Sequence, residues 1–258
     1  MRRRLVAALA CRNTGTRLYA KPLQRIDAEH TILDQLINAL RRMPMIDEIV
    51  LGISQGNANL AFVDVAQARG LRHIVGDPED VLMRLIQCGR EGQATDVFRV
   101  TSECPWFAYG LLPRLWQEHC ARGNDITVCD RLPEGLHFEI YSLTALERAH
   151  DRGTSRDRSE FCSSYPRSHP EEFRATVFLP RPAERRMDLR VTVDYPEDLI
   201  LAREIARSCA KSMPLVPVGE IIRVLDSRPS LKALVAPYVV AEPLWAAVPQ
   251  QVELDIDA

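Results

Sequence analysis

Apolar and polar positions along the first hundred residues switch repeatedly between short apolar runs and a helical period. Leu5 to Ala10 is an unbroken apolar run of the kind found in parallel strands. From Thr31 to Arg42 the apolar residues fall at 32, 33, 36, 37 and 40, a helical spacing. Ile46 to Ile53 reads as a buried strand, Asn59 to Arg69 as a helix and His73 to Val75 as a short strand. Pro78 to Gly89 reads as a helix opened by Asp77-Pro78, and Asp96 to Val100 as a further strand. Strand–helix units joined by short connections predict an α/β fold, a mostly parallel mixed sheet flanked by helices.

The second half is less regular. Trp106 to Ala121 reads as a helix, Asp125 to Cys129 and Glu139 to Ser142 as strands, and Thr144 to Ala149 as a short helix. Residues 151–172, rich in Arg, Ser, Asp and Glu, predict an exposed or mobile loop with a short helix. Thr176–Leu179 and Leu189–Val193 read as late strands. Pro196 to Ser208 reads as a helix with Glu197 and Asp198 in its first turn, where the helix dipole favours them, and a last helix lies near Gly219–Leu225. The expected organisation is a single domain over 1–235, with about 130–185 as an insertion on one side, and a Pro-spaced tail over 236–258.

Composition narrows the classes. With 258 residues, 46% hydrophobic content and a formal net charge of -2, the chain is an ordinary globular protein without the basic balance that non-specific nucleic-acid binding requires. It has no apolar run of about 18 residues, so no membrane span is expected. Its seven cysteines show no CxxC spacing, which predicts reduced thiols in the cytoplasm rather than disulfides or a zinc site.

Charge placement is the informative departure. The first 26 residues carry seven Lys or Arg and no Asp or Glu. An apolar strand runs straight into a basic loop, Cys11 to Pro22, in which Arg12, Arg17 and Lys21 can curl around one polyphosphate. A merely solvated basic face is the plain alternative. The loop fits neither GxxxxGK[ST] nor GxGxxG, so the cations rather than glycines would carry the binding. Glu103 and Asp194, each at a predicted strand end, are candidates to hold a divalent ion; a helix end for Glu103 and an N-cap for Asp194 are the local alternatives. The histidines lack HxxxH or HExxH spacing, and no GxSxG element occurs, which argues against catalytic zinc and a serine nucleophile.

Five ordered segments then carry a resemblance. Cys11-Arg12-Asn13-Thr14-Gly15-Thr16-Arg17-Leu18-Tyr19-Ala20-Lys21 resembles A-R-x-x-S-x-R-L-P-x-K, and Gly76 to Arg84 resembles G-x-x-x-D-V-L-x-R. Arg99 to Pro105 resembles R-x-T-G-D-C-P, and Pro133 to Ser142 resembles P-x-G-L-D-x-E-x-F-S. Leu189 to Leu199 matches L-R-x-T-V-D-x-P-E-D-L throughout. Together they resemble the spore-coat-polysaccharide type of cytidylyltransferases, relatives of the CMP-KDO and CMP-sialic acid synthetases, over about residues 4–205.

That resemblance implies a Rossmann-like, glycosyltransferase-A-related nucleotidyltransferase fold, CTP and a small anionic acceptor as substrates, Mg2+ as cofactor and a possible homodimer. It implies phosphate-binding, catalytic roles for Lys21, Arg12 and Arg17, and a nucleotide site that also takes in Cys11, Asn13, Thr14, Gly15, Asp80, Arg84 and Thr101. Glu103 and Asp194 would hold the metal, and Glu134, Gly135, His137 and Glu139 would face the acceptor.

The departures fall around one pocket. Gly15 replaces Ser, Tyr19 replaces Pro, Ser102-Glu103 replaces Gly-Asp, His137 replaces Asp, and Ser159 to Ser163 stands for R-E-H-V-T. A protein that binds nucleotides without turning them over is therefore the second expectation. A glycosyltransferase of the same fold would need a DxD motif, for which Asp125-Ile126-Thr127 and Asp255-Ile256-Asp257 are poor candidates.

Overall fold

Strands β1 (Leu5–Cys11), β2 (Ile46–Ser54), β3 (Arg72–Gly76), β4 (Asp96–Arg99), β5 (Ile126–Cys129), β6 (Glu139–Ser142), β7 (Ala175–Leu179) and β8 (Gln251–Glu253) form one sheet in the order β3-β2-β1-β4-β6-β5-β7-β8. The coordinates are a computed structural model that describes residues 2–13, 15–160, 162–246, 248 and 250–254. β1 pairs in parallel with β2 and β4, β2 with β3, β5 with β7, and β7 with β8; β6 alone runs antiparallel, between β4 and β5.

The helices are α1 (Ile32–Leu40), α2 (Leu60–Ala68), α3 (Val81–Glu91), α4 (Leu112–Arg122), α5 (Leu143–Arg152), α6 (Ser155–Arg158), α7 (Ser164–Ser168), α8 (Pro196–Ser208), α9 (Val218–Asp226) and α10 (Pro229–Val235). Alternation along β1 explains the layering. Leu5, Ala7, Leu9 and Cys11 join one buried cluster with α1 and α8, and Val6 and Ala8 join a second with α3 and α5. Each buried Leu, Ile or Val contributes about 1.5–3 kcal/mol, so a central strand covered on both faces is firmly placed.

Helix starts follow their caps. α1 opens on a reciprocal pair: the Asp34 N–H donates to Thr31 Oγ1 and the Thr31 N–H to Asp34 Oδ2. α3 opens at Asp80, which accepts the Met83 N–H at 2.8 Å, rather than at the expected Pro78.

Three expectations change. The helix expected from Trp106 starts at Leu112, because Trp106, Phe107 and Ala108 are buried and Phe107 packs edge-on against Phe98 and Phe138. Tertiary packing overrides the helical spacing there. Leu189–Val193 forms no ladder strand; its single bridge joins Glu134 to Arg190, while Leu189, Val191 and Val193 are buried in the core. The stretch 151–172 holds α6 and α7 and buries Cys162 and Tyr165, so its charged composition masks an anchored apolar side. The tail segment also joins the fold, since β8 extends the sheet and Trp245 is buried.

Candidate active site

The loop after β1 leaves the sheet at the carboxyl end of its parallel strands, where open α/β sheets bind ligands. Asn13 anchors it. The Asn13 N–H donates to Asn59 Oδ1 at 2.8 Å and its side-chain amide donates to the Ala58 carbonyl, leaving Asn13 3% exposed. The turn that follows is tight: a Cβ on Gly15 would lie 2.4 Å from the Leu18 carbonyl oxygen. That contact excludes the serine of the related motif and gives the Gly15 departure a structural cause.

Arg12, Gly15, Arg17 and Lys21 line a groove of about 990 Å³ together with Asp77, Glu79, Asp80, Ser155, Arg158 and Glu160. All three cations are paired. Lys21 Nζ lies 2.5 Å from Asp194 Oδ1, Arg17 reaches the same oxygen at 3.3 Å and stacks over Tyr195, and Arg12 bonds Glu160 Oε2 at 2.5 Å.

Asp194 is not the cap of α8. Asp198 accepts the N–H groups of Asp194 and Tyr195, at 2.9 and 3.0 Å, which leaves the Asp194 carboxylate facing the cations. Arg190, 4% exposed, organises the underside. Its guanidinium donates to Asp194 Oδ2 at 2.8 Å, to both oxygens of Asp198 and to Glu134 Oε1 at 2.5 Å. Burial by itself would raise the Asp194 pKa, but Lys21, Arg17 and Arg190 outweigh it and hold the carboxyl below its ordinary value.

Glu103 contrasts with Asp194. It sits in the turn closed by the Cys104 N–H to the Thr101 carbonyl, with no helix starting there, and its own carbonyl accepts the Val193 N–H. Burial pushes its carboxyl above the usual range, against the pull of Lys21 and Arg12, and Asp194 adds to the rise. Among the described residues its carboxylate has no ion pair. A half-buried acid that disfavours its own charge, next to a second carboxylate, fits a divalent cation. No cluster of three or more Asp, Glu, His or Cys side chains among the described residues forms a closed cage. Two carboxylates without a cage suit magnesium, which is commonly held by one or two carboxylates together with substrate phosphates.

A second cavity, about 290 Å³, is lined in part by Glu103, which the groove lining lacks. Glu134, Gly135, His137 and Glu139 line it, with Arg99, Arg167, Leu244 and Trp245; Thr101, expected in the nucleotide site, lines this cavity and not the groove. Gly135 is obligatory: its φ is +96° and a Cβ would meet the Thr192 nitrogen at 2.3 Å. Glu139 bonds Arg99 at 2.5 Å and accepts the Trp245 indole N–H at 3.1 Å. Burial pushes the His137 imidazole pKa down; its Nε2 is buried without a hydrogen bond, 3.9 Å from Asp130. The buried Asp130 carboxylate also takes the N–H groups of Leu244 and Trp245, fixing the tail segment as a wall.

Of the other expected residues, Asp80 lines the groove itself, and Arg84 and Cys11 support it from outside. Arg84 is 1% exposed and donates to the Gly52 and Cys11 carbonyls, supporting the strand ends beneath the loop. Cys11 is wholly buried, its thiol pKa pushed up to about 12 by burial. Asp80 caps α3 and pairs with His150 at 2.8 Å. Ser102, replacing the family glycine, ties its hydroxyl to the Ala10 carbonyl at 2.7 Å. Thr14 and Asp255–Asp257 lie outside the described residues. Sequence reasoning missed Arg99, Glu160, Arg190 and Trp245 as site residues. Arg99, Glu160 and Arg190 had a signal, each standing in a segment that resembles a motif, whereas Trp245 had none.

No family model matches the chain. A protein of Methanocaldococcus jannaschii, itself uncharacterized, is 22% identical over 229 residues, 89% of this chain and 93% of its own length. Among solved structures, a cytidylyltransferase from Leptospira borgpetersenii superposes with TM-score 0.76 at 18% identity, covering 90% of this chain and 96% of that one. CMP:2-keto-3-deoxy-manno-octonic acid synthetase complexed with CTP gives 0.61 at 12% identity, covering 79% and 98%. The architecture is thus the nucleotidyltransferase fold, and the chain is similar in fold to cytidylyltransferases. No helix among the described residues is long and apolar enough to cross a membrane.

Proposed function

We propose that this chain is a magnesium-dependent cytidylyltransferase that transfers CMP from CTP to a small anionic acceptor, a carboxylated or phosphorylated sugar or metabolite, and releases pyrophosphate. One observation carries the reading. Arg12, Arg17 and Lys21 converge at the end of β1 beside Glu103 and Asp194, in a fold shared with cytidylyltransferases.

Arg12 and Arg17 would grip phosphate oxygens in pairs, while Lys21 places a compact charge where the transferred phosphorus develops negative charge. Glu103 and Asp194 would hold the magnesium, which supplies charge neutralisation and orientation of the triphosphate when bound. Arg190 keeps Asp194 aimed at the groove. The acceptor would sit in the cavity lined by Glu134, His137 and Glu139, its oxygen attacking the α-phosphorus as the bond to pyrophosphate breaks.

Purified protein mixed with each nucleoside triphosphate, magnesium and a panel of acidic sugars should release pyrophosphate with CTP, and lose that activity on chelation. Absence of any nucleotide binding would sink the reading. Tight CTP binding with no turnover on any acceptor would favour a nucleotide-binding protein whose catalysis has been lost, in keeping with the altered Ser102-Glu103 pair.

A further inference from the structure

We propose that Glu160 is a gate residue between the two cavities: a triphosphate that takes Arg12 turns the Glu160 carboxylate toward the acceptor cavity, so that nucleotide binding prepares the acceptor side. The inference rests on the nucleotidyl-transfer reading above and extends it to an order of events.

Glu160 is the residue common to the linings of the groove and the acceptor cavity. It sits between α6 and α7, and its carboxylate is bound to Arg12, 148 positions away in sequence. Both side chains are half-exposed, 46% for Arg12 and 56% for Glu160. An exposed pair of this kind is weak, and a triphosphate offers the guanidinium a more highly charged partner with paired oxygens. Once Arg12 is taken, a carboxylate left beside the phosphates is repelled by them. The acceptor cavity is the other space that Glu160 lines.

The acids already in that cavity are otherwise engaged, Glu103 being the candidate metal ligand. Glu139 is held by Arg99 and Trp245, and Glu134 by Arg190. The released Glu160 therefore adds a movable carboxylate, able to accept a hydrogen bond from an acceptor hydroxyl. The same exchange is drawn on the other side of the groove, where Asp194 pairs with Lys21 and Arg17 and is also a candidate metal ligand.

The test is calorimetric titration of the full chain with tripolyphosphate and with CTP, each with magnesium. The variants are Glu160→Gln, Arg12→Ala, the double variant, and Glu79→Gln as a control acid that lines the groove without pairing to Arg12. Glu160→Gln should bind both probes roughly two- to five-fold tighter, the span of an exposed ion pair. The gain should vanish in the Arg12→Ala background and be smaller for Glu79→Gln.

Trp245 lines the acceptor cavity and reports on the second half of the proposal. CTP should change the emission that Trp245→Phe removes, in the wild type and not in Glu160→Gln. Unchanged or weaker binding by Glu160→Gln overturns the gate, as does an equal gain without Arg12 or an emission change that survives Glu160→Gln. Wild-type protein that binds neither probe removes the nucleotide reading itself, an outcome distinct from these.

Discussion

The groove proposed for the phosphates and the cavity proposed for the acceptor share Glu160 and are otherwise built in different ways. On the groove loop Arg12 and Arg17 are about half-exposed while Lys21 is largely covered, and each is held by a carboxylate from a distant part of the chain. The cavity is walled by groups held in pairs, Glu139 with Arg99 and Trp245 and the part-buried Glu134 with Arg190, while buried Asp130 fixes the backbone of Leu244 and Trp245 from behind the lining. Exposed pairs exchange partners at little cost, whereas a buried charge that loses its partner is strongly destabilising. Substitutions in the groove should therefore act on binding and turnover, and those around the cavity on stability.

Arg190 offers the largest effect. Arg190→Met leaves Asp198, Asp194 and Glu134 without their common cation, and about 3–5 kcal/mol of stability should be lost in urea unfolding. A loss below 1 kcal/mol would show that the cavity wall is not locked by this network. Next comes Lys21→Ala, which should slow pyrophosphate release by roughly 10²–10³-fold, as for other donors aimed at developing charge. Its unfolding midpoint should shift less than that of Arg190→Met, because Asp194 keeps Arg17 and Arg190, and an equal shift would erase the contrast between the two sides.

Gly135→Ala should follow, at about 1–3 kcal/mol, because its backbone conformation and the Thr192 nitrogen both resist a side chain. Trp245→Phe keeps an aromatic ring but removes the N–H donated to Glu139 and leaves a void beside the smaller phenyl, so a loss of about 1–3 kcal/mol is expected from denaturant unfolding. An unchanged midpoint would mean that the tail wall adds no stability.

The smallest effect tests a region belonging to neither cavity. At the start of β4, Asp96 is wholly buried against His119 and Arg3. Burial alone would raise the Asp96 pKa, but the hydrogen bonds from His119, Arg3 and Thr95 hold it below the ordinary carboxylate value. Burial pushes the His119 imidazole down. Below the ordinary imidazole pKa the unfolded chain takes up a proton that folded His119 does not. Further down, the unfolded Asp96 carboxylate protonates before the folded one. Both steps lower stability as pH falls. Unfolding curves between neutral and mildly acidic pH should show this slope, reduced in His119→Gln; the same slope in that variant would exclude His119 as its source.

Much of the alternating architecture was legible because its signals are local. The apolar run at Leu5–Ala10 and the helical spacing of 32–40 need no distant partner to be recognised. The basic loop that lines the groove was legible for the same reason, its cations lying together without acids. Misreadings occurred where distant packing governs. Trp106 to Ala108 are drawn into an aromatic cluster, Leu189–Val193 wraps against Glu134 and Gly135, and the charged 151–172 stretch hides Cys162 and Tyr165.

The sequence by itself determined the strand–helix order and the identity of the cations that line the groove, since periodicity and local charge are properties of neighbouring residues. Only the tertiary structure decided which carboxylate each cation meets, that Arg84 and Asn13 support the loop from below, and that a terminal tryptophan walls the acceptor cavity. Those pairings join residues up to 177 positions apart, as Arg17 and Asp194 are, and only the packing of the two cores on the sheet fixes such distances.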